Sequence, residues 1–566
     1  MSSNWKREIP VPIYTVEYSS TVGTVEVAKT DSDLDSKMVV GPKHQAAAST
    51  RIAKWYKRCR SNRLALICQK AVDTVNSRGP GSFINQLCRD GKRVGELRKS
   101  IKQSPKNWNI NKENHLTKKT ALSEAVEHHN GAAIKLLVHL GADQNVRTGE
   151  TGEFILHKIL RDTSPGAIET TRLLLSLSET KADPDGQYRS SDSIASSDGK
   201  RYWLEVSRHR KHYRKEDMIK MGIPHLPEFS FALCGQPYAQ WKMAKDISTS
   251  LANQESYNRL VFLLGGPPGH GKTMAAEMLS RVLGEDAQER DFLKISCANL
   301  NSVIELFGGG GAYQGSEVGS ELNNFVVNHR DRIGVVNLDE FDRLNPEVRD
   351  GLFTIFDKGE WVDKKLSSQT QSKTLDCKKI IWILTTNAFD NKILSFYKQE
   401  YQRFQQRNWL DIQKRVKTTF RGNVKTQFGD AMARRIGSLI PFVPFTKPER
   451  VAFVENDIDI ARAMYATSPV HKGSIKLVGN FKFTVSPEVI SLIADQYDEQ
   501  QGITSLKDFI KEEIHDVIND EHFEGDIPEN PENTEGPLEK TVGHFSLLGS
   551  EGDEEIVFNW PIKPIN

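Results

Sequence analysis

Apolar and polar positions in the second half of the chain follow strand-like and helix-like patterns in turn. Three short, largely apolar runs stand out, Leu260–Leu264, Ile333–Leu338 and Ile380–Leu384, and each ends in glycine or polar residues. Runs of this length, bounded in this way, are typical of buried strands. Residues 274–283, which follow the first run, have the pattern of a helix. The arrangement predicts an α/β domain.

A glycine-rich loop joins the first of these strands to the helix. It fits the pattern G-x-x-x-x-G-K-[ST] in full, with Gly266, Pro267, Pro268, Gly269, His270, Gly271, Lys272 and Thr273. Backbone N–H groups of such a loop close around phosphate oxygens, and the following helix adds its dipole. Lys272 is predicted to reach the β- and γ-phosphates and Thr273 to hold Mg²⁺. This phosphate loop predicts ATP and Mg²⁺ as cofactors; the alternative is a chance match in a glycine-rich turn.

Polar residues follow the other two apolar runs. The second run ends in Asp339 and Glu340. This pair is typical of a Walker B site, in which the first carboxylate orders the Mg²⁺ shell and the second polarises the attacking water. The third run ends in Thr385, Thr386 and Asn387, and Asn387 is predicted to position water beside the γ-phosphate. The alternative for Asn387 is a residue that opens a turn, as asparagine often does.

The first half of the chain contains a degenerate repeat. Thr120-Ala121-Leu122-Ser123 is followed 34 residues later by Phe154-Ile155-Leu156-His157, and a leucine-rich segment follows each. The spacing and the residues resemble ankyrin repeats, whose period is about 33 residues. The consensus prolines are absent, so an ordinary helical domain is the alternative. The repeats predict protein partners.

Composition and charge weigh against several classes of protein. The 566 residues include six scattered cysteines and carry a formal net charge of +2. No apolar run reaches the ~18 residues of a membrane span. Basic runs at 51–60 and 208–215 are more typical of solvated helix faces than of nucleic-acid contacts. The N-terminus lacks a signal-peptide pattern and contains acidic residues, which favours a cytoplasmic protein, with mitochondrial import as the alternative.

Further motifs between residues 234 and 510 resemble those of Clp-type AAA+ ATPases, close to the second ATPase domain of the ClpB disaggregases. The segments are Cys234-Gly235-Gln236, Leu306-Phe307-Gly308, Ala312-Tyr313-Gln314-Gly315, Asn345-Pro346-Glu347-Val348 and Phe428–Ile436. They are similar to the family's I-G-Q, L-I-G, G-Y-V-G, H-P-D-V and F-R-P-E-F-L-N-R-I. Ankyrin repeats before a single such domain are also similar to the ankyrin-containing mitochondrial disaggregases of animals.

The resemblance implies two further site residues. Arg435 matches the arginine finger, which reaches the nucleotide of a neighbouring subunit and is worth about 10³–10⁵ in rate. Tyr313 matches the aromatic residue that grips extended polypeptide in the central pore of the ring. The alternatives are a surface arginine and a tyrosine that anchors a glycine-rich loop. The resemblance also implies a homo-oligomer, a hexamer as in the family, and unfolded or aggregated polypeptide as substrate.

One position departs from the family pattern. The family has an arginine, its second sensor, where this chain has Thr504. A threonine places no cation on the γ-phosphate. Lys507 is displaced by about one helical turn and is not expected to substitute for the arginine. We expect the change to affect nucleotide affinity or the coupling of hydrolysis to lid motion.

The predicted chain is multidomain, with helical ankyrin repeats, an α/β P-loop AAA+ domain and a small, mostly helical lid. The expected boundaries are a disordered segment at 1–50, a helical region with ankyrin-like repeats at 51–183, a linker at 184–225, the large ATPase domain at 226–443, the lid at 444–522 and an acidic tail at 523–566. The predicted function is an ATP-dependent chaperone of the disaggregase type that threads polypeptide through an oligomeric ring. The alternative is a nucleotide-switched ankyrin scaffold with weak ATPase activity.

Overall fold

The computed structural model describes the chain in separate stretches. They are residues 14–19, 24–29, 38–40, 97–98, 109–114, 118–145, 147–148, 152–178, 193–209, 215–252, 260–283, 291–308, 319–329, 332–362, 374–466, 482–523, 542–548 and 555–559. The chain divides into two compact units, Met1–Ile159 and Leu160–Asn566. Among the helices of these stretches, none is both long enough and apolar enough to cross a membrane.

The first unit contains a small antiparallel sheet near the N-terminus. Its strands, in order across the sheet, are β1 (Tyr14–Ser19), β2 (Thr24–Lys29) and β3 (Met38–Val40). The structure differs here from the disorder expected for residues 1–50. Apolar and polar residues alternate along the first two segments, which is the pattern of a strand, although the surrounding sequence is polar.

Two short helices follow in the same unit and pack against each other. They are α1 (Ala121–Glu127) and α2 (Gly131–His139). A side chain caps the start of each helix. The hydroxyl of Thr120 accepts a hydrogen bond from the N–H of Ser123 in α1, and the amide oxygen of Asn130 accepts one from the N–H of Ala133 in α2. Such caps satisfy backbone donors that the first turn of a helix leaves free.

A hairpin comes next, formed by β4 (Arg147–Thr148) and β5 (Glu153–Phe154). Helix α3 (Ile155–Arg161) begins directly after it. Its first residue lies 34 positions after the first residue of α1, which is the spacing of the repeat in the sequence.

The second unit opens with helices α4 (Ala167–Leu177) and α5 (Asp198–His209), which we call the bridging helices. A linker is predicted at residues 184–225, but the structure differs there because α5 is a packed helix. It buries Trp203 and Leu204, which are 2% and 0% exposed. The segment is rich in serine and basic residues, but a few apolar residues repeat at helical spacing and form one narrow apolar face.

A five-stranded parallel sheet forms the core of the second unit. The strands of this region are β6 (Val261–Gly265), β7 (Phe292–Ser296), β8 (Gly334–Asp339), β9 (Glu360–Val362), β10 (Thr374–Asp376), β11 (Ile380–Thr386) and β12 (Leu439–Pro441). The order across the sheet is β12-β6-β11-β8-β7, whereas β9 and β10 pair only with each other. Strands β6, β8 and β11 correspond to the three apolar runs, and β6 and β11 are buried along their whole length.

Helices surround this sheet. They are α6 (Lys215–Lys220), α7 (Pro237–Ala252), α8 (Lys272–Leu283), α9 (Val303–Phe307), α10 (Glu321–Asn328), α11 (Pro346–Asp350), α12 (Phe353–Lys358), α13 (Asp390–Gln405) and α14 (Trp409–Arg435). Helix α14 is interrupted at Gly429, whose φ of 80° and ψ of 158° are not helical. A 3₁₀ segment, Leu226–Phe231, packs against α8 and against both bridging helices.

The C-terminal subdomain comprises residues 444–559. Its elements are α15 (Lys447–Tyr465), β13 (Lys482–Val485), α16 (Pro487–Asp495), α17 (Ile503–Ile510), α18 (Val517–Phe523), β14 (Val542–Leu548) and β15 (Glu555–Asn559). A π-helical turn joins α17 to α18. Strand β14 pairs in parallel with β13 and antiparallel with β15.

The last two strands correct the prediction of an acidic tail after residue 522. Phe545 of β14 is fully buried, and its ring centroid lies 5.7 Å from that of Phe483 and 4.4 Å from that of Phe558. The flanking segments are rich in glutamate and proline. The segment nevertheless contains two short strands; β14 pairs with β13, which lies about 60 residues earlier in the chain, and β15 pairs with β14.

The bridging helices are capped by carboxylates from α15. Asp459 accepts hydrogen bonds from the N–H groups of Gly166 (3.0 Å) and Ile168 (3.1 Å) at the start of α4. Glu455 accepts one from Gly199 (2.6 Å) at the start of α5. A carboxylate at a helix N-terminus satisfies free donors and interacts favourably with the helix dipole. The bridging helices are thus fixed to the C-terminal subdomain.

We expect Phe545→Ala to lower the free energy of unfolding of the C-terminal subdomain by about 3–5 kcal/mol, because truncation leaves a cavity among buried rings. Denaturant titration, followed by hydrogen exchange of the amides in α16, measures the change. Leu548→Ala is the matched control, since Leu548 is 66% exposed in the same strand, and its effect should stay within about 0.5 kcal/mol. Equal effects of the two variants would contradict the packing of β14.

Candidate nucleotide site

The phosphate loop connects the end of β6 to the start of α8. The ammonium group of Lys272 is buried and donates hydrogen bonds to the carbonyl oxygens of Gly266 and Pro267, the latter at 2.8 Å. Burial lowers the pKa of Lys272 to about 8, although the nearby carboxylates of Asp390 and Asp339 act in the opposite direction. A cation held in this way, above a helix N-terminus, suits an anionic phosphate group.

Asp339, the last residue of β8, lies beside the phosphate loop. The hydroxyl of Thr273 is 3.3 Å from its carboxylate, the hydroxyl of Thr385 also donates to it, and the ammonium group of Lys294 is 2.9 Å away. Burial raises the pKa of Asp339, but the bonds from Thr385 and Lys294 outweigh it and leave the pKa below its usual value. The structure thus brings together the two oxygen ligands that the sequence assigns to Mg²⁺.

Glu340 has an unusual backbone conformation. Its φ of 56° and ψ of 46° are left-handed, which is uncommon for a residue other than glycine, asparagine or aspartate. Its N–H donates to the hydroxyl of Thr385 (3.1 Å), and Arg343 pairs with its carboxylate (3.3 Å). Strained residues of this kind concentrate at functional sites. The strain turns the chain sharply just after the strand and leaves the carboxylate one-third exposed at the cavity.

Asn387 and Asp390 follow β11 on the same edge of the sheet. Asn387 lines the cavity together with Glu340. Asp390 is the first residue of α13 and belongs to none of the sequence motifs. Burial raises the pKa of its carboxyl group to about 6, against the charge of Lys272, which lowers it. Asp390 and Lys272 are about 120 positions apart in the chain. A contact between residues so far apart cannot be predicted from the local sequence.

A cavity of about 720 Å³ extends from the phosphate loop between the large domain and the C-terminal subdomain. Polar groups line it around the loop, and apolar side chains line it elsewhere, among them Leu233, Met278, Phe453, Ile460 and Ile503. Ligand sites of this size are mostly apolar with a few convergent polar groups. The combination suits a molecule with a triphosphate at one end and an aromatic base at the other.

The bridging helices also contribute to this cavity. Arg172 of α4 and Trp203 of α5 line it, and the guanidinium carbon of Arg172 is 5.7 Å from the centroid of the Trp203 ring. Arg172 donates to the carbonyl oxygen of Phe231 (2.6 Å) and pairs with Glu169. No sequence motif marks these two residues, which precede the predicted ATPase domain.

The start of α17 meets the phosphate loop directly. The N–H of Ile503 donates to the carbonyl oxygen of Gly269 (3.0 Å), and a Cβ atom on Gly269 would lie 1.8 Å from the carbonyl oxygen of Gln501. Gly269 also has a φ of +71°, so only glycine fits there. Thr504 and Lys507, which is displaced by about one helical turn and not expected to substitute for the second-sensor arginine, both line the cavity.

Arg435 lies apart from these groups, at the end of α14. Its guanidinium group donates to Asp357 (2.8 Å) and to the carbonyl oxygen of Ala431 (2.7 Å), and it stacks over the ring of Phe353 at 4.3 Å. It is not among the residues that line the cavity. That placement suits an arginine that acts on the nucleotide of another subunit. Tyr313 lies outside the described residues.

Residues 258–436 match the family model of the AAA domain (Cdc48 subfamily), a range that holds the phosphate loop, Asp339, Glu340, Asn387 and Arg435. The chain is similar to the mitochondrial disaggregase of Rattus norvegicus, with 26% identity over 275 residues, 45% of this chain and 38% of that protein. It is similar to the mitochondrial disaggregase of Homo sapiens, with 26% identity over 45% of this chain and 36% of that protein.

The chain is also similar to chaperone protein ClpB of Chlamydia caviae, with 27% identity over 298 residues, 52% of this chain and 31% of that protein. The chain thus spans about a third of the length of the curated relatives that it matches. Among solved structures, a chain in a closed-state cryo-EM reconstruction of Hsp104:ATPγS and FITC casein is similar at a TM-score of 0.42 and 14% identity, covering 86% of this chain and 67% of that chain.

We expect Glu340→Gln to preserve ATP binding and to reduce ATP turnover by about 10²–10⁴-fold, because an amide is a poor acceptor for the proton of the attacking water. Isothermal titration and a phosphate-release assay measure the two properties separately. Glu347→Gln is the matched control, since Glu347 is an exposed glutamate shortly after the carboxylate pair. Wild-type turnover in Glu340→Gln would show that another group is the catalytic carboxylate.

Proposed function

We propose that the protein is an ATP-dependent chaperone of the disaggregase type. The observation that carries the proposal is the convergence of four side chains at one edge of the parallel sheet. Lys272, Thr273 and Glu340 meet Asn387 around one cavity, within a segment that matches the AAA domain. The similarity to mitochondrial disaggregases and to ClpB supports the chaperone role.

The residues fit ATP and Mg²⁺. Lys272 and the N–H groups of the phosphate loop bind the β- and γ-phosphates, while Thr273 and Asp339 hold Mg²⁺, Asp339 directly or through water. Mg²⁺ supplies charge neutralisation for the phosphate oxygens. Glu340 accepts a proton from the attacking water, and Asn387 orients that water. The hydrogen bond from Thr385 to Asp339 keeps the carboxylate on the side of Thr273.

Assembly and substrate follow from the resemblance to Clp-type ATPases. Subunits form a ring, with six as the family's number, so that Arg435 reaches the nucleotide of its neighbour. Tyr313 grips unfolded or aggregated polypeptide in the central pore and pulls it as the nucleotide state changes. The relatives named mitochondrial disaggregases support a mitochondrial location.

The helical region before the ATPase domain is proposed to be an ankyrin-repeat module that binds protein partners. Helix α1 and helix α2 form a short, capped pair before a hairpin. The side chain of Asn111 accepts a hydrogen bond from the N–H of Asp143 (2.8 Å), which links positions 32 residues apart. Contacts at this spacing support a stacked repeat.

The nucleotide-switched scaffold rests on one observation, the threonine at position 504. Glu340, Asn387 and Arg435 favour turnover instead. The steady-state ATPase rate with and without an unfolded model polypeptide tests the choice. Stimulation of hydrolysis by the polypeptide supports the chaperone, and tight ATP binding without turnover supports the scaffold.

Arg435→Ala is expected to reduce ATP hydrolysis by about 10³-fold or more and to leave the nucleotide affinity of the isolated subunit nearly unchanged, because the arginine acts across a subunit interface. Phosphate release is measured for Arg435→Ala alone and in mixtures with Lys272→Ala, whose own site binds no nucleotide. Mixed assemblies should recover part of the activity at interfaces that pair an intact loop with an intact arginine.

Two controls separate this role from a structural one. Asp357→Asn breaks the ion pair of Arg435 within the subunit and should retain hydrolysis. Arg434→Ala tests the adjacent arginine. If mixed assembly is confirmed and no ratio of subunits restores activity, or if Asp357→Asn is as inactive as Arg435→Ala, the action in trans is wrong.

Tyr313→Ala is expected to preserve basal ATP hydrolysis and to abolish most reactivation of an aggregated reporter enzyme, because the ring that grips the polypeptide is lost. Tyr313→Phe is the matched control and should be tolerated, since the gripping depends on ring area and not on the hydroxyl. Both are measured by recovery of reporter activity under ATP. Equal reactivation by wild type and Tyr313→Ala would exclude threading past this residue.

A further inference from the structure

A histidine in the phosphate loop is bonded at both ring nitrogens. His270 is fully buried, with Nδ1 2.8 Å from the carbonyl oxygen of Pro268 and Nε2 3.1 Å from the hydroxyl of Tyr497. Its ring is stacked on that of Phe445 at 5.7 Å between centroids. Tyr497 lies between α16 and α17, so the histidine connects the loop to the C-terminal subdomain.

The two bonds define one tautomer. A carbonyl oxygen only accepts, so Nδ1 carries the proton and donates to Pro268. Nε2 is then an acceptor, and the hydroxyl of Tyr497 donates to it. The same hydroxyl oxygen accepts the N–H of Phe445 at 3.2 Å. Burial lowers the pKa of His270, in keeping with a neutral ring.

This side-chain bond acts beside the backbone bond between Ile503 and Gly269. Together they dock the C-terminal subdomain on two consecutive residues of the phosphate loop. The docked subdomain supplies Phe453 and Ile460 to the wall of the nucleotide cavity. The cavity is therefore complete only when the C-terminal subdomain contacts the phosphate loop, which we call the docked form. A hydrogen bond that raises the population of the docked form should tighten the binding of a ligand that contacts both walls.

We propose that His270 is a positioning residue that couples the phosphate loop to the C-terminal subdomain through its hydrogen bond with Tyr497. Related ATPases have an arginine that contacts the γ-phosphate at the position of Thr504. The coupling through His270 gives the C-terminal subdomain a different connection to the phosphate loop. His270 acts through Pro268 and the loop backbone and not by contact with the reacting atoms. The inference rests on the proposed function only in assuming that the loop binds ATP.

The test is the equilibrium affinity for ATP and ADP, measured by isothermal titration on the full chain with four variants. Tyr497→Phe removes only the hydroxyl. His270→Asn keeps a donor near the position of Nδ1 and loses the acceptor at Nε2, whereas His270→Gln places an amide oxygen near the position of Nε2. The fourth variant combines Tyr497→Phe with His270→Asn.

The matched control is Tyr465→Phe. Tyr465 also bonds a histidine, with its hydroxyl 3.0 Å from Nδ1 of His515, but both residues lie inside the C-terminal subdomain and away from the phosphate loop. A general loss of stability from removing a tyrosine hydroxyl would appear in both tyrosine variants. Thermal melting of every variant confirms that the chain is folded.

We expect the dissociation constants of both nucleotides to rise about fivefold in Tyr497→Phe and in His270→Asn, which is the weight of one hydrogen bond. The double variant should bind no more weakly than either single variant, because both changes break the same bond. Tyr465→Phe should bind like wild type, and His270→Gln, which keeps an acceptor for Tyr497 but loses the donor to Pro268, should recover part of the affinity that His270→Asn loses. Additive losses, an equal loss in Tyr465→Phe, or unchanged affinity in Tyr497→Phe would overturn the proposal.

The outcome separates this inference from the proposed function. Lys272→Ala sets the level of no specific nucleotide binding. A wild-type chain that binds no better than Lys272→Ala refutes the nucleotide site itself. A wild-type chain that binds ATP, together with a Tyr497→Phe variant that binds equally well, refutes only the coupling through His270.

Discussion

The candidate site depends on keeping one ammonium group charged inside the protein. Lys272 is 8% exposed, and burial of an unpaired cation costs several kcal/mol. The structure offsets that cost with two carbonyl oxygens of the loop and with the charges of Asp339 and Asp390. Asp339 ends β8 and Asp390 comes shortly after the neighbouring strand β11, and the carboxyl ends of these parallel strands meet at one edge of the sheet. The sheet order therefore creates the site as well as the core.

A second constraint is the close approach of the C-terminal subdomain to the same loop. Gly269 has room only for a hydrogen where Gln501 crosses it, and Ile503 bonds its carbonyl oxygen. The glycine pattern of a phosphate loop is usually explained by the approach of phosphate oxygens. Here the missing side chain of Gly269 also makes room for the C-terminal subdomain, so the loop and the subdomain are in direct backbone contact.

Local sequence patterns predict the parts of the site that are formed by residues close together in the chain. The run Leu260–Leu264 predicted β6 almost residue for residue, and the loop motif predicted the start of α8 because both signals lie within one short segment. Such patterns did not predict Asp390 beside Lys272, or Tyr497 beside His270, because those pairs form between elements more than 100 residues apart. The same limit explains why β14 was assigned to an acidic tail.

The bridging helices, which precede the predicted ATPase domain, hold two parts of it together. Asp459 and Glu455 fix their N-termini to α15, while Arg172 bonds the carbonyl oxygen of Phe231 on the side of the large domain. The bridging helices thus contact both the large domain and the C-terminal subdomain, which enclose the cavity. Trp203 of α5 lines that cavity. Any rotation of the C-terminal subdomain against the large domain must then stretch bonds at one end of this pair or carry the pair along. The bridging helices therefore constrain how the two bodies that enclose the cavity can move against each other.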